Sequence, residues 1–229
     1  VYPHTHIHAI KNFNLTIQPG EKIAVVGRTG SGKSTIAQLL LRMYDVSSGQ
    51  ILMDGNAIQN LNTDALRRQI SYVPQDGFLF SDTVEANIAF GAASKGALSV
   101  QQAAEYAAVD GEIERFEKGY QTMIGERGVT LSGGQKQRIS IARALMKEAP
   151  ILLLDDCLSA VDTRTEKQIL AHLKTFLKNK TAIIITHRIF SLLHFDKIIV
   201  VDDGRIAEQG THSELLRMKG LYAEMFAKQ

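Results

Sequence analysis

The sequence predicts an α/β fold on a mostly parallel sheet, and three observations carry that expectation. Short apolar runs recur along the chain, KIAVVG (22–27), ILLL (151–154) and TAIIIT (181–186), without the polar alternation of a strand wet on one face. Stretches of helical period separate them, such as STIAQLLLRMY (34–44) and TRTEKQILAHLKTFL (163–177). Strands buried on both faces and joined by helices mark a parallel sheet, because each parallel crossover needs a helix-length connection that then covers the sheet. The third observation is an interruption. From about residue 76 to about 147 the pattern is mostly helical, which reads as a helical subdomain inserted into the α/β core.

Taken in order, KIAVVG is the first buried strand and STIAQLLLRMY the helix behind it. Within the inserted section VEANIAF (84–90), VQQAAEYAAV (100–109) and ISIARALMK (139–147) read as helices, with loops at GAASKGA (91–97) and GERGVTLSGG (125–134). ILLL and TAIIIT return the chain to the sheet. KIIVVDDGRIAEQG (197–210) reads as two strands around an Asp-Asp-Gly turn, and SELLRMKGLYAEMFAK (213–228) as helix with a Gly break.

Composition sets the outer limits. With 229 residues, 45% hydrophobic, the chain suits one large domain with an insertion, so a single domain over 1–229 is expected. A net charge of +2 favours no polyanionic partner, and nucleic acid is not expected. The single Cys157 excludes an internal disulfide and agrees with a reducing setting. No apolar run approaches the roughly 18 residues of a membrane span, and no signal peptide is expected in this stretch. The chain opens at Val1 without an initiator Met, as expected of a piece excised from something longer, in which membrane segments would lie.

GRTGSGKST (27–35) fits the pattern G-x-x-x-x-G-K-[ST] behind a strand and ahead of a helix. Gly27, Gly30 and Gly32 let the backbone fold round an anion and point N–H groups inward, and the helix start adds its positive dipole end. Arg28, Thr29, Ser31 and Thr35 complete the cradle, Lys33 reaches the β- and γ-phosphates, and the Ser34 hydroxyl is a Mg²⁺ ligand. This is a nucleoside triphosphate site on a P-loop NTPase core. LSGGQKQR (131–138) then places an N-capping Ser132 before Gly133, Gly134 and Gln135, a second helix start ready for an anion.

A phosphate loop, then LSGGQ, then an apolar strand ending in Asp155, then ITHR (185–188), in this order, resembles the ATP-binding cassette family over essentially the whole chain. The resemblance implies an N-terminal antiparallel β portion beside the parallel core. It also implies ATP and Mg²⁺ at a head-to-tail dimer interface, where each signature loop caps the ATP on the partner's phosphate loop. YVPQD (72–76) resembles the Gln loop, with Gln75 near Mg²⁺ and the attacking water. SAVD (159–162) resembles the loop crossing the interface through Asp162. His187 resembles the switch histidine at the γ-phosphate, and Tyr2 sits where the family stacks an aromatic on adenine. By residue type alone, Tyr2 reads as a core tyrosine and His187 as a strand-end histidine. FLFSDTVEANI (78–88) and GERG (125–128) resemble the exporter branch, which implies a transmembrane domain in the same chain, a place on the cytoplasmic side of the cell membrane, and coupling helices received between Gln75 and the signature.

Asp155 reads as the Mg²⁺ acid. Asp156 stands where the family usually has Glu, which polarises the attacking water. Reference pKa values near 3.9 and 4.3 differ by only about 0.5 kcal/mol, so basicity does not disable the site. Reach does: one methylene less shortens the side chain by about 1.5 Å, and a misplacement of about 1 Å costs on the order of 100-fold. A slow ATPase site on this chain's own phosphate loop is therefore expected, with an intact signature lent to a competent, different partner subunit. The rival readings are a homodimeric exporter in which Asp156 or a repositioned water suffices, a soluble cassette ATPase acting on nucleic acid or ribosomes, and a regulatory module that never turns over. Among weaker features, His4, His6 and His8 read as a solvated loop rather than a metal site, Cys157 as an interior packer, and the charges of TEKQILAHLKTFLKNK (165–180) as a solvated face.

Overall fold

A computed structural model of the chain describes residues 2, 5–92, 98–125, 131–188 and 195–228. They form two compact units, Val1–Ile70 with Lys180–Gln229, and Ser71–Asn179.

In the first unit the sheet is centred on β1 (Lys22–Gly27), which pairs in parallel with β6 (Thr181–Ile185) and β7 (Lys197–Asp202). All three are apolar almost throughout, as strands covered on both faces must be. Beyond β7 lies β8 (Arg205–Gly210), antiparallel and alternately exposed along its length. The turn between them holds Asp203 and Gly204 at φ 43° and 74°, the paired positive φ values that suit a two-residue hairpin to the strand twist. Asp54 and Gly55 (φ 50° and 78°) make the same turn between β2 (Leu52–Met53) and β3 (Asn56–Ala57), an antiparallel pair. The architecture is thus the expected α/β one, mostly parallel with antiparallel strands.

Helix α1 (Lys33–Leu40) is shorter than the 34–44 of the apolar pattern. Arg42 takes φ 49°, its N–H donates to Leu39 O, and Met43 N–H donates to Gln38 O, a left-handed stop that satisfies the last carbonyls. The Arg42 guanidinium holds the stop by donating to Asp45 and to Leu61 O (3.0 Å each). Helix α2 (Thr63–Arg68) is capped by Asn62 and carries Asp64 in its first turn and Arg67 and Arg68 in its last, as the dipole favours. Helices α8 (His212–Met218) and α9 (Leu221–Phe226) close the unit, where Ala24, Val26, Ile198, Val200, Leu215 and Tyr222 are fully buried together.

In the second unit β4 (Ile70–Val73) lies beside β5 (Ile151–Asp155). Helices α3 (Val84–Ala89), α4 (Val100–Tyr106) and the short α5 (Asp110–Ile113) precede α6 (Gly133–Met146), against which α3 and α4 pack. Helix α7 (Thr163–Phe176) follows β5 and buries Ile169 and Leu173. It corrects one expectation: Glu166 is 1% exposed, so only part of this charged stretch is a solvated face, with Lys167 and Lys174 outside. Cutting Ile198 to Ala in the centre of the first unit should lower the unfolding free energy by about 2–5 kcal/mol, read as a lower urea midpoint at unchanged slope.

Candidate nucleotide site

The phosphate loop belongs to the first unit and is shaped by close approach. Strand β1 ends at Gly27, opposite Val201 of β7. A Cβ on Gly27 would run into the Val201 carbonyl and lie 2.8 Å from Ser31 Oγ. Gly32 begins α1 in the left-handed region (φ 101°) without a side-chain cap, and a Cβ there would lie 2.5 Å from Ala9 O. Lys33 folds back over the loop, its Nζ donating to Gly27 O and Arg28 O at 2.8 Å each. Arg28, Thr29 and Gly30 are exposed, as is Ser34. Ser31 is 5% exposed, and its Oγ has no hydrogen-bond partner among the described residues. A cradle with no room for a Cβ at Gly27 or Gly32, holding an orphaned Ser31 hydroxyl and a lysine folded back over it, fits a phosphate group.

Tyr2 lies along α1. Its hydroxyl donates to Gln38 Oε1 (2.8 Å) and shares a hydrogen bond with Thr35 Oγ1 (2.9 Å), and its ring meets Tyr44 edge-on at 5.3 Å. The ring is half-buried and helps line a cleft of about 180 Å³ with Leu39, Tyr44 and Val46. Tyr2 is therefore not the core tyrosine its residue type suggests. His187 follows β6 and is exposed.

In the second unit Ser132 caps α6 with a full capping box. Ser132 Oγ accepts from Gln135 N–H, and Ser132 N–H donates to Gln135 Oε1. The cap uses a lone pair of Ser132 Oγ and not its hydrogen. Gln135 Nε2 donates to Glu112 (2.9 Å), whose carboxylate also takes two bonds from Arg138 (2.6 and 3.0 Å). The helix start is thus clamped to α5. Burial pushes the Glu112 carboxyl up, but the Arg138 and Gln135 bonds prevail and hold it below its ordinary 4.5.

Strand β5 ends at Asp155, which is 3% exposed, and Asp156 follows at φ 47°. Asp tolerates this left-handed backbone better than Glu does. Burial pushes the Tyr72 hydroxyl on β4 up to about 12, with the nearby Asp155 charge adding to it. Burial likewise pushes the Cys157 thiol upward, consistent with a packing role. Asp162 caps α7, accepting from Arg164 and Thr165 N–H at 3.0 Å each, and the Thr165 hydroxyl first among several bonds holds it below the ordinary carboxylate range. Gln75 is exposed just after β4.

The first unit therefore brings together Tyr2, Thr35 and the loop from Gly27 to Ser34. The second carries Gln75, Ser132 to Gln135, Asp155, Asp156 and Asp162. Sequence reading missed Glu112 and Arg138, which hold the signature helix start, and Gln137, which bonds to Gln75, Ser159 and Ala160. It also missed Arg143, whose guanidinium lies 5.2 Å from the Phe80 ring centre and 5.9 Å from that of Phe90. With Phe78 (52% exposed) and Phe90 (67%), these form an exposed aromatic patch whose only sequence signal was FLF (78–80). His6 and His8 are exposed; His4 lies outside the described residues, as do most of the GAASKGA and GERG loops.

The Glu112 shift has a signed consequence. A carboxyl whose folded value is lowered stabilises the fold above its unfolded value near 4.5, and that contribution is lost as pH falls through the folded value. Glu112→Gln should therefore destabilise the protein at about pH 6, and the difference from the wild type should shrink as pH is lowered below 4.5, measured by urea unfolding across that range.

The sequence model of the family described as ABC transporter matches residues 10–159. The chain is 48% identical over 222 residues to an ATP-dependent lipid A-core flippase of Hahella chejuensis, covering 96% of this chain and 38% of the flippase. It is 46% identical over 229 residues to the ATP-dependent lipid A-core flippase of Salmonella typhimurium, covering 100% and 39%. It thus spans under two fifths of the length of these relatives. A bacterial Atm1-family ABC exporter solved with ATP bound superposes with a TM-score of 0.89 at 49% identity, over 92% of this chain and 37% of that one. With the phosphate loop behind β1 and the capped Ser-Gly-Gly helix start falling within the matched residues, the chain belongs to the ABC transporter family, as an ATP-binding domain of the exporter type.

Proposed function

We propose that this chain is the ATP-hydrolysing motor of an exporter: ATP closes a head-to-tail pair of such domains, hydrolysis reopens it, and the motion passes to membrane helices. One observation carries this reading. A phosphate cradle and a signature helix start occur in one chain, so each copy supplies one half of two composite sites. In this reading the chain is one nucleotide-binding domain with a helical subdomain over about 76–147, on the cytoplasmic side of a membrane, behind a transmembrane domain of the same chain. The exposed patch of Phe78, Phe80 and Phe90 favours docking of that domain on the loop after Gln75.

ATP is held by Tyr2 at the base and by Gly27 to Thr35 at the phosphates, with Ser132, Gly133, Gly134, Gln135 and Asp162 presented to the nucleotide of a partner. Ser34, Gln75 and Asp155 are the residues to hold Mg²⁺, an ion that takes few protein oxygens and completes its shell with phosphate and water. When bound, Mg²⁺ neutralises phosphate charge and orients the terminal phosphate. Asp156 takes the proton of the attacking water, and His187 steadies the γ-phosphate. Because Asp156 is short, hydrolysis on this chain's own phosphate loop is slow, and the partner is a different subunit with a competent acid. The short acid also favours a second reading, a nucleotide-binding module whose own site never turns over.

Steady-state ATP hydrolysis of the protein beside Asp156→Glu, with ATP binding measured in both, tests the proposal. Both should bind ATP, and the Glu variant should turn over at least about tenfold faster, while unfolding slightly more easily because Glu is less suited to φ 47°. Equal turnover would refute the slow site and favour a homodimer. Lys33→Ala should abolish ATP binding, and undiminished binding there would refute the assignment of the phosphate loop.

A further inference from the structure

One face of α6 carries Gly133, Gly134, Gln137 and Ser140 at helical spacing, and two loops of the same unit come down on it. A Cβ at Gly77 would lie 2.5 Å from Ser140 Oγ and 3.3 Å from Lys136 O. A Cβ at Gly134 would lie 2.9 Å from Ala160 O. Between these contacts the Gln137 side chain, on a residue 7% exposed, reaches both loops. Its Nε2 donates to Gln75 O (3.4 Å) and to Ser159 Oγ (3.1 Å), and the Ala160 N–H donates to its Oε1 (3.0 Å).

The neighbours dictate which way this amide faces. Turned round, it would set oxygen against the Gln75 carbonyl and NH₂ against the Ala160 N–H. A buried amide is costly unless satisfied, and here all three of its bonds go to the two loops that bear Gln75 and Asp162. None goes to the helix it sits on.

We propose that Gln137 is a positioning residue that ties the Gln75 loop to the Ser159–Ala160 turn across α6, so that the segments bearing Gln75 and Asp162 shift together. This rests on the reading of those two residues as parts of the nucleotide site. The bond to Gln75 O is the longest of the three, so the Gln75 side of the tie yields first. A change at one composite site thereby reaches the segment that faces the other.

Two variants in the whole protein test it, with backbone amide exchange at Ala160 and at the segment after Gln75 read alongside ATP affinity, kcat and KM. Gln137→Leu keeps the volume and removes all three bonds. Ala160 exchange should quicken at least about tenfold, ATP affinity should stay within about twofold, and kcat should fall at least about tenfold. Gln137→Glu keeps the acceptor for Ala160 but sets an oxygen against the Gln75 carbonyl. Its Ala160 N–H should stay protected, exchange after Gln75 should quicken, and kcat should still fall. Wild-type kcat in either variant overturns the positioning role, as does a loss of ATP affinity that matches the loss of kcat. Unchanged Ala160 exchange in the Leu variant overturns the contact, and if that variant does not fold the Glu variant alone decides. A wild type that hydrolyses no ATP would sink the proposed function instead. In that case, ATP addition should alter exchange at both segments in the wild type and at only one in Gln137→Glu, and altered exchange at both in the variant overturns the tie.

Discussion

Gly27 ends a strand paired with β7 and at the same position starts the loop that leads to α1, and a side chain there would collide with the Val201 carbonyl. Because the backbone passes so close, Ser31 Oγ comes to lie against Gly27, and Lys33 closes back on Gly27 O and Arg28 O. The second close pass, at Gly32 under Ala9 O, lets α1 begin in the left-handed region without a capping side chain. A phosphate group bound there would meet backbone and lysine, where most helices among the described residues begin behind a Ser, Thr, Asn or Asp cap.

The start of α6 solves the opposite problem. Its Ser132 and Gln135 cap each other, and Glu112 with Arg138 fixes Gln135 from outside the helix. A capped end is rigid before any ligand arrives, which suits its proposed role of meeting a nucleotide held by another subunit, since less order would then be lost on closure. In the proposed function the two helix starts would divide the labour, the open one wrapping a phosphate group and the prebuilt one presenting itself to a partner.

Much of this was legible because the signals were local. KIAVVG and TAIIIT are apolar without alternation, so their burial on both faces could be read directly, and the phosphate loop and Ser132 cap are fixed spacings within a few residues. The β2–β3 hairpin and α2 were missed because two-residue strands and a six-residue helix with one buried side chain, Leu66, leave no period to detect. Helix α1 was overextended because Met43 and Tyr44 continue its apolar pattern, while the stop depends on Arg42 and its bonds to Asp45 and Leu61. Gln137 was invisible for a different reason: its partners Gln75 and Ser159 are 62 and 22 residues away. Asp156 was legible as a short acid, but its φ of 47° was not.

In the proposed assembly the two sites are unequal: this chain lends a working signature to its partner while its own phosphate loop turns over slowly. The most direct test compares ATP turnover of the native assembly when Ser132→Arg or Asp156→Asn is introduced in this chain alone. Ser132→Arg should abolish most turnover by blocking the partner's site, and Asp156→Asn should leave it nearly unchanged. Equal, severe losses from both would show that the two sites work alike and make Asp156 an ordinary working acid.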